Sequence, residues 1–320
     1  MKITIIALDN LGYNDFIPEE LKKKNIEVTY IKLYNNRYKY PNILYKALNF
    51  FLKFFFNYNL KRVHIEKHLI QRLEKLEIQD HILVIRADLL NISTVIKIKK
   101  YTKNILANFN DHTEKFPRIK KVAPYFDKVF SFQKNDVDRY GFNFITNYSY
   151  IKEPYIKDSN TEIKWQVFNV SRLDSRVDIL EKISKSLNQL KIPNRIIVVG
   201  SNKFRKNKIH NLEHTTLYMP VEEVQSLIMK SNVMLDVVRR NDQSGLSFRV
   251  FESMMYRKKL ITSNADVLNY DFYNPNNILV VNKEVSNITK EFFETEYQDI
   301  NKDLYNKYTL KSWVEKVFDL

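Results

Sequence analysis

The chain has 320 residues, long for a single core and comfortable for two α/β domains, and its 44% hydrophobic and 13% aromatic residues suffice to bury a core in each. The absence of cysteine excludes a disulfide framework and any Cys-based metal site, and fits a reducing compartment. Its 52 basic against 37 acidic residues leave a formal net charge of +15, which favours anionic partners such as nucleotides, nucleic acid or anionic lipid, unless the lysines are simply spread over a solvated surface.

The opening run MKITIIALDN is too short for a signal h-region or a membrane span and reads as a buried strand over 2–8. A helix follows over 16–24, with Pro18 near its start where a missing N–H matters little. Residues 26–33 alternate like a strand, 41–56 and 60–77 read as helices, and HILVIR (81–86) is another buried strand. Next come a helix over 91–100, a strand over 103–109, a helical segment over 118–124 and a strand over 127–132. No segment reaches the roughly 18 uncharged apolar residues that a bilayer span needs. The recurring β-α-β order predicts a parallel, doubly wound sheet rather than a sandwich.

The pattern restarts after a polar, proline-bearing stretch at 150–163 that fits an interdomain linker. Strands are predicted over 164–170, 194–199, 232–238, 258–263 and 277–281, with helices over 175–190, 221–230 and 246–257. The tail 308–318 has the pattern of an amphipathic helix. Two Rossmann-like halves of about 150 residues each follow.

The stretch 241-NDQSGLSFRVFESMMYRKKLITSN-264 holds one of only 4 glycines and a lone acid, Glu252, on an apolar helix pattern. In a doubly wound domain ligands bind at the carboxyl ends of the strands. Gly245 would let the backbone turn tightly, the helix start would offer N–H groups to a phosphate, Arg249 would add a forked contact, and Glu252 could accept both hydroxyls of a ribose. The same spacing also suits a structural turn followed by a surface Glu-Arg pair.

DQSGLSFRVFESMMYRKKLITSN resembles the carboxy-terminal signature of bacterial GT-B glycosyltransferases, in particular the CgeB-like and lipopolysaccharide, capsule and exopolysaccharide biosynthesis group. Residues 109–145, 168-FNVSRLDSRVDIL-180 and 217-LYMPVEEVQSLIMKSNVMLDVV-238 are similar to other parts of that group, so that the resemblance covers perhaps two-thirds of the chain. It implies two Rossmann-like doubly wound domains with a cleft between them: residues 1–155 for the acceptor, 156–305 for the nucleotide-sugar, and a helix over 306–320 returning to the first domain. It also implies a metal-independent, cofactor-free transfer of a sugar from a nucleotide-sugar to a surface-glycan or lipid-linked acceptor, in the cytoplasm. Glu252 matches the second glutamate of the family motif, while Gln243 and Ser244 stand where the first would be.

The resemblance further implies donor contacts from Ser171, Arg172, Gly200, Ser201, Tyr218, Met219 and Pro220 and from the turn Gln243-Ser244-Gly245-Leu246-Ser247. Arg172 would neutralise the departing diphosphate, or else pair with Asp174; Gly200, Ser201 and Lys203 would touch phosphate or base, or simply form an αβ turn. Tyr218, Met219 and Pro220 would wall the nucleobase, or anchor a loop. An inverting transfer needs a general base, for which Asp111 is the first candidate and His112 the second, ahead of Asp9-Asn10 and Arg86-Asp88; Asp111 could instead cap a helix.

Asp136-Val-Asp138 has Asp-x-Asp spacing but falls in a helix-like stretch and reads as a surface feature. His64 and His68 are four apart, with no convincing third ligand for a metal. The stretch 43-ILYKALNFFLKFFFNYNLKR-62 packs five phenylalanines beside Lys46, Lys53, Lys61 and Arg62, and reads either as a helix in peripheral contact with an anionic membrane surface or as a buried crossover helix. The contrasting function is a non-catalytic nucleotide-sugar-binding protein or a basic nucleic-acid-binding protein. No recognised nucleic-acid motif is present, so no nucleic-acid partner is expected.

Overall fold

The computed structural model describes residues 1–8, 12–33, 38–56, 58–155, 161–201, 210–239 and 244–320. The chain divides into two compact units: Met1–Ile145 together with Val314–Leu320, and Thr146–Trp313. The division falls ten residues before the 155/156 junction that the resemblance implies: Tyr150 and Tyr155 pack against the second core, and the Tyr155 N–H donates to Met255 O at 2.7 Å.

The first unit is built on β1 (Lys2–Ala7), β2 (Glu27–Lys32), β3 (Gln79–Ile85), β4 (Thr102–Phe109), β5 (Lys128–Ser131) and β6 (Asn143–Phe144), in the order β2-β1-β3-β4-β5-β6. Every pairing is parallel, with Ile5 opposite Tyr30 and Leu83 and with Leu83 opposite Leu106. Parallel central strands are covered on both faces, which is why β1 and β3 read as unbroken apolar runs; Ile3, Ile5, Ile6, Ile82, Leu83, Val84 and Ile85 are fully buried. Leu69 and Leu73 of helix Leu60–Leu73, Val95 and Ile98 of helix Ile92–Ile98, and Ile119 and Val122 of helix Arg118–Val122 supply one covering layer. Phe318 packs its ring at 5.8 Å from His81 and Lys24 pairs with Glu315 at 2.6 Å, joining the C-terminal residues to this unit.

The second unit holds β7 (Trp165–Arg172), β8 (Asn194–Val199), β9 (Glu213–Thr215), β10 (Ser231–Asp236), β11 (Lys259–Thr262) and β12 (Ile278–Val280), again all parallel, in the order β12-β11-β10-β7-β8-β9. Counted from its own first strand this is the 3-2-1-4-5-6 order of a dinucleotide-binding Rossmann sheet, read from the far edge. The order reverses between β7 and β10, and in the first unit between β1 and β3. At such switch points the loops after adjacent strands lead to opposite faces of the sheet and leave a crevice at the carboxyl edge.

Candidate functional site

Strand β10 ends at Asp236, a wholly buried carboxylate at the switch point of the second sheet. It accepts from Ser247 Oγ at 2.8 Å and from Thr262 Oγ1 at 3.1 Å, while burial pushes its pKa up. Ser247 is also the N-cap of helix Phe248–Met255, its oxygen accepting the Arg249 N–H at 3.2 Å. The helix start is therefore fixed to the strand by one hydroxyl that satisfies two partners. Arg249, with its side chain 21% exposed, donates from Nη2 to Val170 O at 3.2 Å on β7 and lies 3.6 Å from Glu252 Oε2.

Glu252 is only 4% exposed. Its Oε1 accepts from the Tyr150 hydroxyl at 3.3 Å, and Tyr150 in turn meets Gln225 Nε2 at 3.1 Å and the Tyr256 hydroxyl at 3.2 Å. Burial first, then the Glu252 charge, raise the Tyr150 hydroxyl far above its ordinary value, and burial raises Tyr256 to about 12. Both phenols thus stay protonated and able to donate. The carboxylate of which a ribose contact is expected thus faces the Tyr150 hydroxyl and the Arg249 guanidinium.

Gly245 lies at a bend ahead of helix Phe248–Met255. Gly245 is buried, and its carbonyl accepts from Asn264 Nδ2 at 3.0 Å. The backbone demand falls on Gly200, after β8, at φ 151°, where an added Cβ would lie 3.1 Å from Leu173 Cβ.

Arg172 ends β7 exposed and forms no ion pair among the described residues. Asp174 binds Arg176 instead, at 2.9 and 3.0 Å, with Arg239 3.9 Å away, which answers the alternative of an Arg172–Asp174 bridge. Arg176 is not singled out by the sequence reading; its signal is a position shortly beyond a strand end. Ser171 is half-buried and donates to Asn169 Oδ1 at 2.6 Å. Ser201 is exposed, and His214 Nε2 meets Gly200 O at 2.7 Å. Tyr218 is 73% exposed, Pro220 exposed and Met219 half-buried against the second core. Ser244 is half-buried and Leu246 buried, its carbonyl accepting from Asn147 Nδ2 at 2.8 Å. Gln243, Lys203, Asp9 and Asn10 lie outside the described residues.

In the first unit, β3 gives way to Arg86 in a left-handed conformation, φ 66°, an uncommon geometry for a non-glycine residue. Arg86 forks onto Asp88 at 3.0 and 3.0 Å and reaches Asp111 at 3.2 Å beyond β4. Lys115 holds the other Asp111 oxygen at 2.7 Å. Both oxygens of the favoured base are thus engaged by cations, whereas the neighbouring His112 ring is half-buried. A cavity of about 210 Å³ opens at the carboxyl ends of β1 and β2, lined by Leu8, Leu33, Lys61, Arg62 and Leu90.

Asp136 is not a surface feature: it is buried and takes Thr113 N at 2.9 Å and Thr113 Oγ1 at 2.5 Å. His64 and His68 meet edge-to-face with ring centres 4.4 Å apart, and among the described residues no group of three or more His, Cys, Asp or Glu could hold a metal ion. Among them, too, no helix is long and apolar enough to cross a membrane.

No protein-family model and no curated protein matches the chain. Its fold is similar to that of a variant of S. aureus TarM in complex with fondaparinux, α-GlcNAc-glycerol and UDP, at TM-score 0.56 and 12% identity over 100% of this chain and 99% of that one. UDP-GlcNAc 2-epimerase from Neisseria meningitidis bound to UDP-GlcNAc gives TM-score 0.55 at 13% identity over 100% of both chains. Anabaena HepE in complex with UDP-glucose gives 0.54 at 12% identity over 99% of this chain and 96% of that one. At such identities the likeness concerns the fold, and the fold is that of the GT-B proteins: two parallel six-stranded Rossmann-like sheets, each with its helices.

Proposed function

We propose that this chain is a glycosyltransferase that moves a sugar from a nucleotide-sugar, held on the second unit, to a surface-glycan acceptor on the first. The observation that carries it is the set of arginines at the β7/β10 switch point. Arg172 is exposed at the end of β7, Arg239 follows β10, and Arg249 is tied to Val170 O of β7. A crevice edged by guanidinium groups, beside a helix start, suits a diphosphate. The solved relatives in complex with UDP, UDP-GlcNAc and UDP-glucose support a nucleoside diphosphate as the ligand class. The surface-glycan acceptor is drawn from the resemblance around Glu252.

In the reaction an acceptor hydroxyl oxygen bonds to the anomeric carbon, the bond from that carbon to the diphosphate oxygen breaks, and the nucleoside diphosphate leaves with the electron pair. Arg172 and Arg249 meet the charge that develops on it. Glu252 acts by positioning Arg249. An inverting transfer gives the hydroxyl proton to a base, and we assign that to His112, because Asp111 is already held by Arg86 and Lys115.

A thermal-shift screen against UDP-, GDP-, CMP- and dTDP-sugars tests the donor class, since a ligand that binds only the native state raises the melting temperature. The proposal expects a shift with one nucleotide that is lost in Arg172→Ala. A shift only with oligonucleotides, weakening with salt, would overturn it in favour of the basic binding protein. Conversion of the donor to an epimer without any acceptor would assign the site to the chemistry of the epimerase neighbour instead.

A further inference from the structure

Helix Ile43–Phe56 is turned inside out relative to a helix that covers a core. Asn49 is its buried residue and Leu52 its half-buried one, while the other positions are exposed. Ile43 is 78% exposed, Leu44 72%, Phe50 72%, Phe54 74%, Phe55 62% and Phe56 67%. The polar residue makes the attachment: Asn49 Nδ2 donates to the Tyr40 hydroxyl at 2.8 Å, and its Oδ1 accepts the Leu60 N–H at 2.7 Å. The phenylalanines pack on one another, Phe51 on Phe55 at 4.5 Å between ring centres and Phe54 on Phe55 at 5.0 Å. A contiguous exposed patch of this kind marks a docking surface.

The charges around the patch select the occupant. Residues 38–62, the helix and its flanks, contain Lys39, Lys46, Lys53, Lys61 and Arg62, and no aspartate or glutamate. Lys46 and Lys53 lie seven residues apart, on one side of the helix, and both are exposed. Two copies of this surface pressed together would oppose cation to cation with no carboxylate between them. An anionic lipid surface offers what both halves of the pattern require: an acyl boundary for the aromatics and headgroup charge for the lysines. With 14 residues the helix is about 21 Å long at about 1.5 Å per residue, too short to span and suited to lying in the plane of the interface.

We propose that helix Ile43–Phe56 is an interfacial anchor that docks this protein on the surface of an anionic lipid bilayer. The inference is independent of the glycosyl-transfer proposal, and its test reads no activity. The full chain is sedimented with vesicles of phosphatidylcholine alone and of phosphatidylcholine mixed with phosphatidylglycerol, at low and high salt. Wild type should pellet with the phosphatidylglycerol vesicles, more weakly at high salt. Combining Phe50→Ser, Phe54→Ser and Phe55→Ser should cut partitioning by at least about tenfold, and removing Lys46 and Lys53 by roughly fivefold per lysine. These side chains are exposed, so unchanged circular dichroism and melting temperature should accompany the loss. Wild type remaining in the supernatant with both vesicles would overturn the proposal, as would a folded triple-serine variant that pellets like wild type. A wild-type dimer in sedimentation velocity that the triple variant abolishes, with no vesicle binding, would assign the patch to a second copy.

Discussion

The Ser247 hydroxyl donates to the buried Asp236 carboxylate at 2.8 Å and, with the same oxygen, accepts the Arg249 N–H at 3.2 Å. One side chain therefore fixes the helix that carries Arg249 and Glu252 to the strand end where the two halves of the sheet diverge. Ser247→Ala removes the cap and leaves Asp236 with Thr262 as its remaining hydroxyl donor. The expected loss is about 1–3 kcal/mol in urea unfolding, with weaker donor binding in the same variant. Unchanged stability would show that the cap carries no weight.

Arg172 and Glu252 should separate binding from folding. Arg172 is exposed and without an ion pair among the described residues, so Arg172→Ala should leave stability within about 0.5 kcal/mol of wild type. If Arg172 meets the leaving diphosphate, the same change lowers kcat on the order of 10²-fold. Glu252 is buried beside Arg249, so Glu252→Ala should cost about 3 kcal/mol by removing both the carboxylate 3.6 Å from a partly buried guanidinium and the acceptor of the Tyr150 hydroxyl. The milder Glu252→Gln should keep the fold and weaken donor binding; a double-mutant cycle with Arg249→Gln measures the coupling directly.

The acceptor base is tested by the pair at the end of β4. His112→Ala should lower kcat by about 10²–10⁴-fold while leaving the melting temperature close to wild type. Asp111→Asn releases Arg86 and Lys115 and should act mainly on stability and KM. The reverse pattern would return the role to Asp111.

Gly200 offers a backbone test. At φ 151°, with Leu173 Cβ 3.1 Å from where a Cβ would stand, Gly200→Ala should destabilise by about 1–3 kcal/mol. A thermal melt against wild type checks it, and an unchanged melting temperature would show that the position makes no backbone demand.

Acid sensitivity should be traceable to the amino edge of the first sheet. The Lys103 ammonium first, then the Lys2 backbone N–H, hold Asp80 down at about 2, against an ordinary 3.8. The unfolded chain binds this proton more readily. Stability from Asp80 is therefore fully present above pH 3.8 and is lost as pH falls through about 2. Asp80→Asn should flatten the acid limb of a stability–pH curve in that window, and an unchanged limb would place the sensitivity elsewhere.

The sequence by itself determined the two α/β halves. Central parallel strands such as β1, β3 and β10 are covered on both faces and so appear as apolar runs, and the helices over them keep a 3.6-residue stripe. It also marked the turn before Phe248, the arginine at the end of β7 and the aromatic-basic character of residues 43–62. The edge strands β6 and β9, of 2 and 3 residues, are too short to carry any period. Tertiary structure alone decided the strand order, and with it which loops share a switch point. It also decided the fate of charges that look alike in one dimension. Lys258 and Lys259 are each 4% exposed because their ammonium groups cap the carbonyls of Met229 and Phe292, and Glu252 is buried because Tyr150 and Arg249 surround it. Helix Ile43–Phe56 is the reverse case, an apolar segment left in the open. Hydrophobicity states what a side chain gains from leaving water, but only the packed chain determines whether anything is there to receive it.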